Sequence, residues 1–294
     1  MAFRSKLAKA EPALAGLLAQ SPGRIYSRVE LKPLHSRARD DGLLAKHTSL
    51  DQVIDHLTRH HHLLPITLSS AEYGKALQRY SAGRPHPYAL AISIRRSGYL
   101  SHATAAHLHQ LLPTSTPIYL NIEQSAKPVP AQRSLSQPAI DRAFAGKQRQ
   151  SNLSYRNGDF VCTILAGKNT RRAGVELSTH PAAKDLPVTN LERTLIDITV
   201  RPGYAGGIPA VLTAYRAARE RVDISKLVAI LDHIDHAYPF AQSIGFLMRL
   251  ADYPKDALTT LKSRQTAYDF YLAYGMRETA YDSDWRIHYP RDLR

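Results

Sequence analysis

Cysteine is nearly absent from this chain of 294 residues, in which Cys162 stands alone. A disulfide needs two thiols and a thiolate zinc site at least as many, so neither is available, and a reducing cytoplasm is the expected compartment. Long apolar runs are missing as well. No stretch approaches the roughly 18 apolar residues of a membrane span, and Glu11 and Pro12 interrupt any leader-like block in residues 1–20. A soluble protein with no membrane partner is expected. Catalytic signatures are lacking too: there is no G-x-x-x-x-G-K-[ST] phosphate loop, no G-x-S-x-G elbow, and no Gly-Ser followed by an Asp-x-Asp pair. A non-enzymatic role without cofactors follows.

What the chain has is positive charge, a net +14, and it is unevenly placed. Residues 1–186 carry 25 Lys and Arg against 12 Asp and Glu, whereas residues 187–294 carry 14 against 13. Such a split points to one part of the chain facing a polyanion and another facing something else. Length and an apolar content of 44% suffice for two domains with real cores.

Near the N-terminus, Leu7, Ala10, Leu14, Leu17 and Leu18 recur at helical spacing, and Ser21-Pro22-Gly23 ends the pattern. Ser27-Arg-Val-Glu30 and Ser49-Leu-Asp-Gln52 both spell capping boxes. In that motif the Ser hydroxyl accepts from a free backbone N–H while the acid or amide reaches back to the cap. The first predicts a helix continuing through Leu31, Leu34 and Ala38. The second predicts a helix over 49–62, with Leu50, Val53, Ile54, Leu57 and His61 on one face and Pro65 as its stop. Three short helices of this kind are the skeleton of a helix-turn-helix, with 49–62 as the recognition helix. Leu64–Leu68 and Leu77–Ser81 then read as two strands forming a wing. A helix over 69–80 competes, because Ser69 and Glu72 also spell a cap and Tyr73, Ala76, Leu77 and Tyr80 share a face.

Further along, the tract Gly83-Arg-Pro-His-Pro87 reads as a hinge, followed by helices over 88–97 and 101–111. Residues 118–122 form a strand candidate, and 124–133 a Pro-punctuated loop. Asn157-Gly158 between two alternating runs is the strongest hairpin signal in the chain, and 171–178 adds a short strand. From Asn190 onward the pattern is helical, with stops at Pro202-Gly203, Pro239 and Pro254. The fold class expected is α+β: a winged helix-turn-helix over 1–82, then a domain over 88–294 with a small antiparallel sheet and a C-terminal helical layer.

Recognition of duplex DNA needs polar side chains from one helix at base edges and cations around it on phosphates. Gln52, His56 and Arg59 are the candidates for base edges. Arg24, Arg28, Lys32, Arg37, Arg39 and Lys46 are placed to meet phosphates, with Lys75 and Arg79 on the wing. Asp51 and Asp55 would repel phosphates if they faced the groove. Among the fourteen histidines, His56 and His60 share a helix face, but no third or fourth ligand is evident, the rings of 60–62 diverge, and no metal site is expected. Asp159 and Glu176, read on consecutive strands, could imitate the metal-binding carboxylates of a restriction-type nuclease, although the usual Lys is absent. That nuclease, and a protein-binding adaptor without DNA affinity, are the alternatives.

Three segments carry a resemblance. Residues 99–111, YLSHATAAHLHQL, the strand segment PIYLNIEQS over 117–125, and NLERTLID over 190–197, with Arg201-Pro202 and Gly206-Gly207 behind it, resemble AbiEi-type antitoxins in the family's order. These are bacterial transcriptional regulators of type IV toxin–antitoxin systems that act in phage defence. The resemblance implies repression of the protein's own operon and an antitoxin role for the C-terminal domain. It also implies a nucleotidyltransferase-like toxin as functional partner, countered without an obligatory complex. A palindromic or repeated operator would engage two reading heads, so a homodimer on double-stranded DNA is one expectation.

Overall fold

The computed structural model describes all residues except 1–4, 21–23, 71, 73, 75, 115, 126–134 and 294. The fold is α+β, in two compact units: 1–97 with 153–162, and 98–152 with 163–294.

In the first unit, α1 (Lys6–Ala19) starts where the Ser5 hydroxyl accepts from Ala8 N at 3.2 Å, and it buries Ala10, Leu14 and Leu18. Strand β1 (Ile25–Tyr26) follows. The Ser27–Glu30 capping box forms, but it closes a turn ahead of the helix: Ser27 N donates to Glu30 Oε2 at 2.8 Å and Glu30 N to Ser27 Oγ at 3.2 Å. Helix α2 (Lys32–Asp40) begins only after it. Helix α3 (Leu50–Arg59) has the second capping box intact, with Ser49 N donating to Gln52 Oε1 at 2.8 Å and Gln52 N to Ser49 Oγ at 3.2 Å. Its Leu50, Val53, Ile54 and Leu57 pack with Leu14, Leu18, Leu31 and Leu63 into one core. Pro65 is not what ends α3. His61 adopts φ +61° and turns the chain, and Leu63 N then donates back to Leu57 O at 3.1 Å.

Strands β2 (Leu64–Leu68) and β3 (Leu77–Ser81) pair antiparallel from Leu64↔Ser81 to Leu68↔Leu77, and β1 joins the far side of β3. Residues 77–80 of the segment for which a helix competed are therefore strand. The hinge expected at 83–87 does not divide the units, because α4 (Pro87–Ile94) belongs to the first. The reason is Arg79, whose guanidinium is buried and donates to Ser93 O at 2.8 and 2.9 Å. Arg156 is tied in by its backbone, exchanging bonds of 2.9 and 3.0 Å with Ser69.

The second unit opens with β4 (Tyr99–Leu100), α5 (His102–Leu108), β5 (Ile118–Glu123) and α6 (Gln137–Ala145). A hairpin follows, β6 (Ser154–Asn157) and β7 (Phe160–Gly167), turning at Gly158 with φ +54°, and residues from Thr163 onward belong to this unit. Strands β8 (Val175–Leu177) and β9 (Pro187–Thr189) complete a sheet in the order β6-β7-β5-β4-β9-β8. It is mixed and not antiparallel as expected, because β4 and β9 run parallel at Leu100↔Val188.

Helices α7 (Leu191–Val200), α8 (Ile208–Ala218), α9 (Ile224–Ile234), α10 (Phe240–Leu250) and α11 (Lys255–Lys262) form the layer the sequence predicts. Two are capped by side chains: Asn190 accepts from Arg193 N at 2.9 Å and Asp223 from Lys226 N at 3.0 Å. The chain does not stay helical. A second small sheet, β10 (Phe270–Tyr271), β11 (Thr279–Asp282) and β12 (Ile287–Pro290), closes it in the order β10-β12-β11. Trp285, just before β12, lies so close to Gly245 of α10 that a Cβ there would meet its ring at 2.1 Å.

Candidate nucleic-acid interface

The amphipathic pattern of α3 decides which of its side chains reach solvent. With Leu50, Val53, Ile54 and Leu57 turned inward, Asp51, Gln52, Asp55 and Arg59 are exposed. Gln52, Asp55 and Arg59 follow one another at intervals of three and four residues and share a face. The repulsion expected of Asp51 is offset by Arg28, which grips it through both ends: Nε to Oδ1 at 2.8 Å and Nη2 to Oδ2 at 2.9 Å. Among the described residues Arg59 makes one long bond, of 3.3 Å to Asp55 O, which leaves most of its guanidinium donors. Gln52 spends its Oε1 in the capping box and keeps its amide nitrogen.

The remaining candidates divide. Lys32 opens α2, Arg37 approaches Asp41 at 3.8 Å, and Arg39 lies in the last turn of the helix. Arg24 stacks over Tyr26 at 5.2 Å from the ring centroid, and Lys46 is exposed between α2 and α3. Two expectations need correction. His56 is buried, because the inward stripe of α3 widens to include it and α1 covers it, so it offers nothing to a base edge. Arg79 is spent on Ser93 O and Gln78 O. Lys75 lies outside the described residues. The first unit carries 16 basic against 8 acidic residues in 107, the second 23 against 17 in 187, so positive charge is denser in the first.

Sequence reading missed Glu11. From α1 its carboxylate receives three imidazoles: His56 Nε2 on Oε2 at 2.9 Å, His60 Nδ1 near the same oxygen at 3.3 Å, and His62 Nε2 on Oε1 at 3.0 Å. The hydrogen bond from His62 comes first among the causes that hold the Glu11 carboxyl below the ordinary carboxylate range, against an opposing cost of desolvation. The spacing of His56 and His60 was visible, but their partner lies 45 residues upstream of His56 on another helix.

In the second unit, the NLERTLID block is packed inside the fold. Arg193 is buried and donates to Asp197 Oδ1 at 2.8 Å, Ala173 O at 2.7 Å and Thr170 Oγ1 at 3.2 Å. Glu192 is buried as well, accepting from Asp223 N at 3.1 Å. Beside this network lies a cavity of about 170 Å³ lined by His102, Asn121, Lys168, Asp197, Arg201 and His236 among others. Burial pushes both His102 and His236 down to about 4, so both rings are neutral near pH 7. The two carboxylates of the nuclease alternative are not on consecutive strands. Asp159 sits in the turn before β7, while Glu176 on β8 accepts from Asn190 at 3.0 Å and Lys226 at 2.9 Å.

No family model matches the chain, and comparison with curated proteins gives no match. Among solved structures, the RV2827C protein from Mycobacterium tuberculosis is similar, with a TM-score of 0.59 over 97% of this chain and 91% of that one, at 15% identity. Such an identity speaks to the fold alone. No helix among the described residues is long and apolar enough to cross a membrane.

Proposed function

We propose that this protein is a DNA-binding transcriptional regulator whose first unit acts as a winged helix-turn-helix. In this reading α3 enters the major groove, α2 supports it on the phosphate backbone, and the β2–β3 pair serves as the wing. The observation that carries the proposal is the exposed face of α3. A helix with an intact N-terminal capping box presents Gln52 and Arg59 outward, the acid of its first turn, Asp51, is paired with Arg28 while Asp55 stays on the exposed face, and Lys32, Arg37 and Arg39 lie on the helix before it. Arginine reads a guanine edge by paired hydrogen bonds, and the amide nitrogen that Gln52 keeps can donate one to a base edge. The surrounding cations supply the phosphate contacts that fix register without reading sequence.

Following the AbiEi resemblance, the role is that of an antitoxin repressing its own operon. Double-stranded operator DNA is the direct partner, two copies are engaged on a repeated or palindromic site, and a nucleotidyltransferase-like toxin is the functional partner. The test is a reporter driven by the region upstream of the protein's own gene. Expressing the chain should lower reporter output, and Arg59→Ala should restore it. Output unchanged by the wild-type chain, with the protein present and folded, would remove the regulator reading. Co-expression with a neighbouring toxin gene tests the antitoxin role separately, growth rescue being the expected result and growth arrest the contrary one.

A further inference from the structure

The geometry points to a transition-metal site in the first unit: Glu11 of α1 with His56 and His60 of α3 would ligate a zinc-class divalent cation, with His62 orienting the carboxylate. It does not rest on the DNA-binding reading. The donor set is two imidazoles and a carboxylate, a combination that zinc and its neighbours in the first transition row take readily. One donor atom from each of the three residues falls within 4.8 Å of the others. A tetrahedral zinc ion with bonds of about 2.0–2.1 Å sets its ligands about 3.4 Å apart, and Glu11 Oε2 already lies 2.9 Å from His56 Nε2 and 3.3 Å from His60 Nδ1. The two carboxylate–imidazole spacings thus stand close to those an ion sets, and the three donors, all within 4.8 Å, draw in around it.

The ligands are held from two directions. His56 and His60 stand one helical turn apart with ring centroids 4.4 Å from each other, so both reach one point. Glu11 comes from α1, and the shared core of Leu14, Leu18, Val53 and Leu57 fixes that helix against α3. The left-handed turn at His61 brings His62 back to Glu11 Oε1, where it steadies the oxygen not used for the ion. Two imidazoles meet on one carboxylate oxygen and a third on the other, the arrangement in which one oxygen can ligate while its neighbour is held. His60 is half exposed, which leaves a way in. To ligate, each ring presents a bare nitrogen to the ion and keeps its one N–H on the other nitrogen.

The experiment is calorimetric titration of zinc sulfate into the full chain, purified without a histidine tag and stripped with chelator. Wild type should take up one ion per chain. Glu11→Gln and His60→Ala should each weaken that uptake by more than about tenfold, the scale on which even outer-shell partners act, and His47→Ala, an exposed control, should leave it unchanged. With cobalt(II) as probe, the visible bands of a four-coordinate ion should appear in wild type and vanish in His60→Ala. Should Glu11→Gln fail to fold by circular dichroism, His60→Ala on the exposed side decides. Absence of stoichiometric binding by wild type would overturn the site, and so would binding that survives undiminished in His60→Ala.

Discussion

Arg59 and Lys32 carry the same charge into different work, and substituting each separates base reading from phosphate anchoring. Both are exposed, so neither change disturbs the core. Arg59→Ala should cost about 1–3 kcal/mol on operator DNA and little on random duplex, while Lys32→Ala should weaken both and flatten the salt dependence by about one unit of slope. Competition binding against the two duplexes measures the difference, and identical behaviour of the two variants would mean that α3 is not the reading helix. Gln52→Ala is less clean, because the capping box is lost with it and helix stability falls by about 1 kcal/mol.

A second residue-scale expectation concerns acid. His102 titrates near 4 in the folded chain, below its ordinary value, so the unfolded chain takes up the proton first as pH falls. Stability is full above about pH 6.5 and declines toward pH 4, by up to about 3 kcal/mol for this one ring. His236 acts in the same direction. Melting temperatures should drop between pH 7 and pH 5, and His102→Gln should narrow that drop. An undiminished drop in the variant would contradict the assignment.

At the scale of elements, the contact between α10 and Trp285 offers a sharp test. Replacing Gly245 by Ala gains helix propensity of about 1 kcal/mol, but its new methyl would lie 2.1 Å from the Trp285 ring, a distance that forces repacking. Overpacking costs about 1–3 kcal/mol and often more, so the net effect is destabilising. Trp285 is the only tryptophan, and its fluorescence during urea unfolding reports the shift directly. A raised midpoint would mean that the ring is not where it is placed here.

Elements with local signals were legible. The Ser49–Gln52 capping box and the asparagine cap mark α3 and α7, Asn157-Gly158 marks the β6–β7 turn, and the two short segments 64–68 and 77–81 allow the strand pair. What was not legible depends on distant partners. Strand β4 is two residues long and acquires its identity by pairing with β9 across 88 positions of chain. Strand β10 is as short, and its parallel pairing with β12 leaves no alternating pattern. His61 was assigned to the inner stripe because it follows Leu57 by four, but the helix ends before reaching it and His56 takes the inner place instead. Glu11 had no local signal as a partner of histidines.

For the whole molecule, the extent of the first unit changes what should be tested. A fragment ending at residue 82 would lose the Ser93 carbonyl that Arg79 binds and the backbone pairing of Ser69 with Arg156. Such a fragment also loses the packing of α4 against β1, so it should be less stable than the full chain, which is the proper object. The most direct measurement is fluorescence anisotropy of the full chain with duplex DNA from upstream of its own gene, beside a scrambled duplex, across a series of salt concentrations. If the exposed face of α3 and its surrounding cations bind DNA, the logarithm of affinity should fall linearly with the logarithm of salt, and the upstream duplex should hold its preference throughout. Absence of binding at low salt, or equal affinity for both duplexes at every salt concentration, would contradict the account.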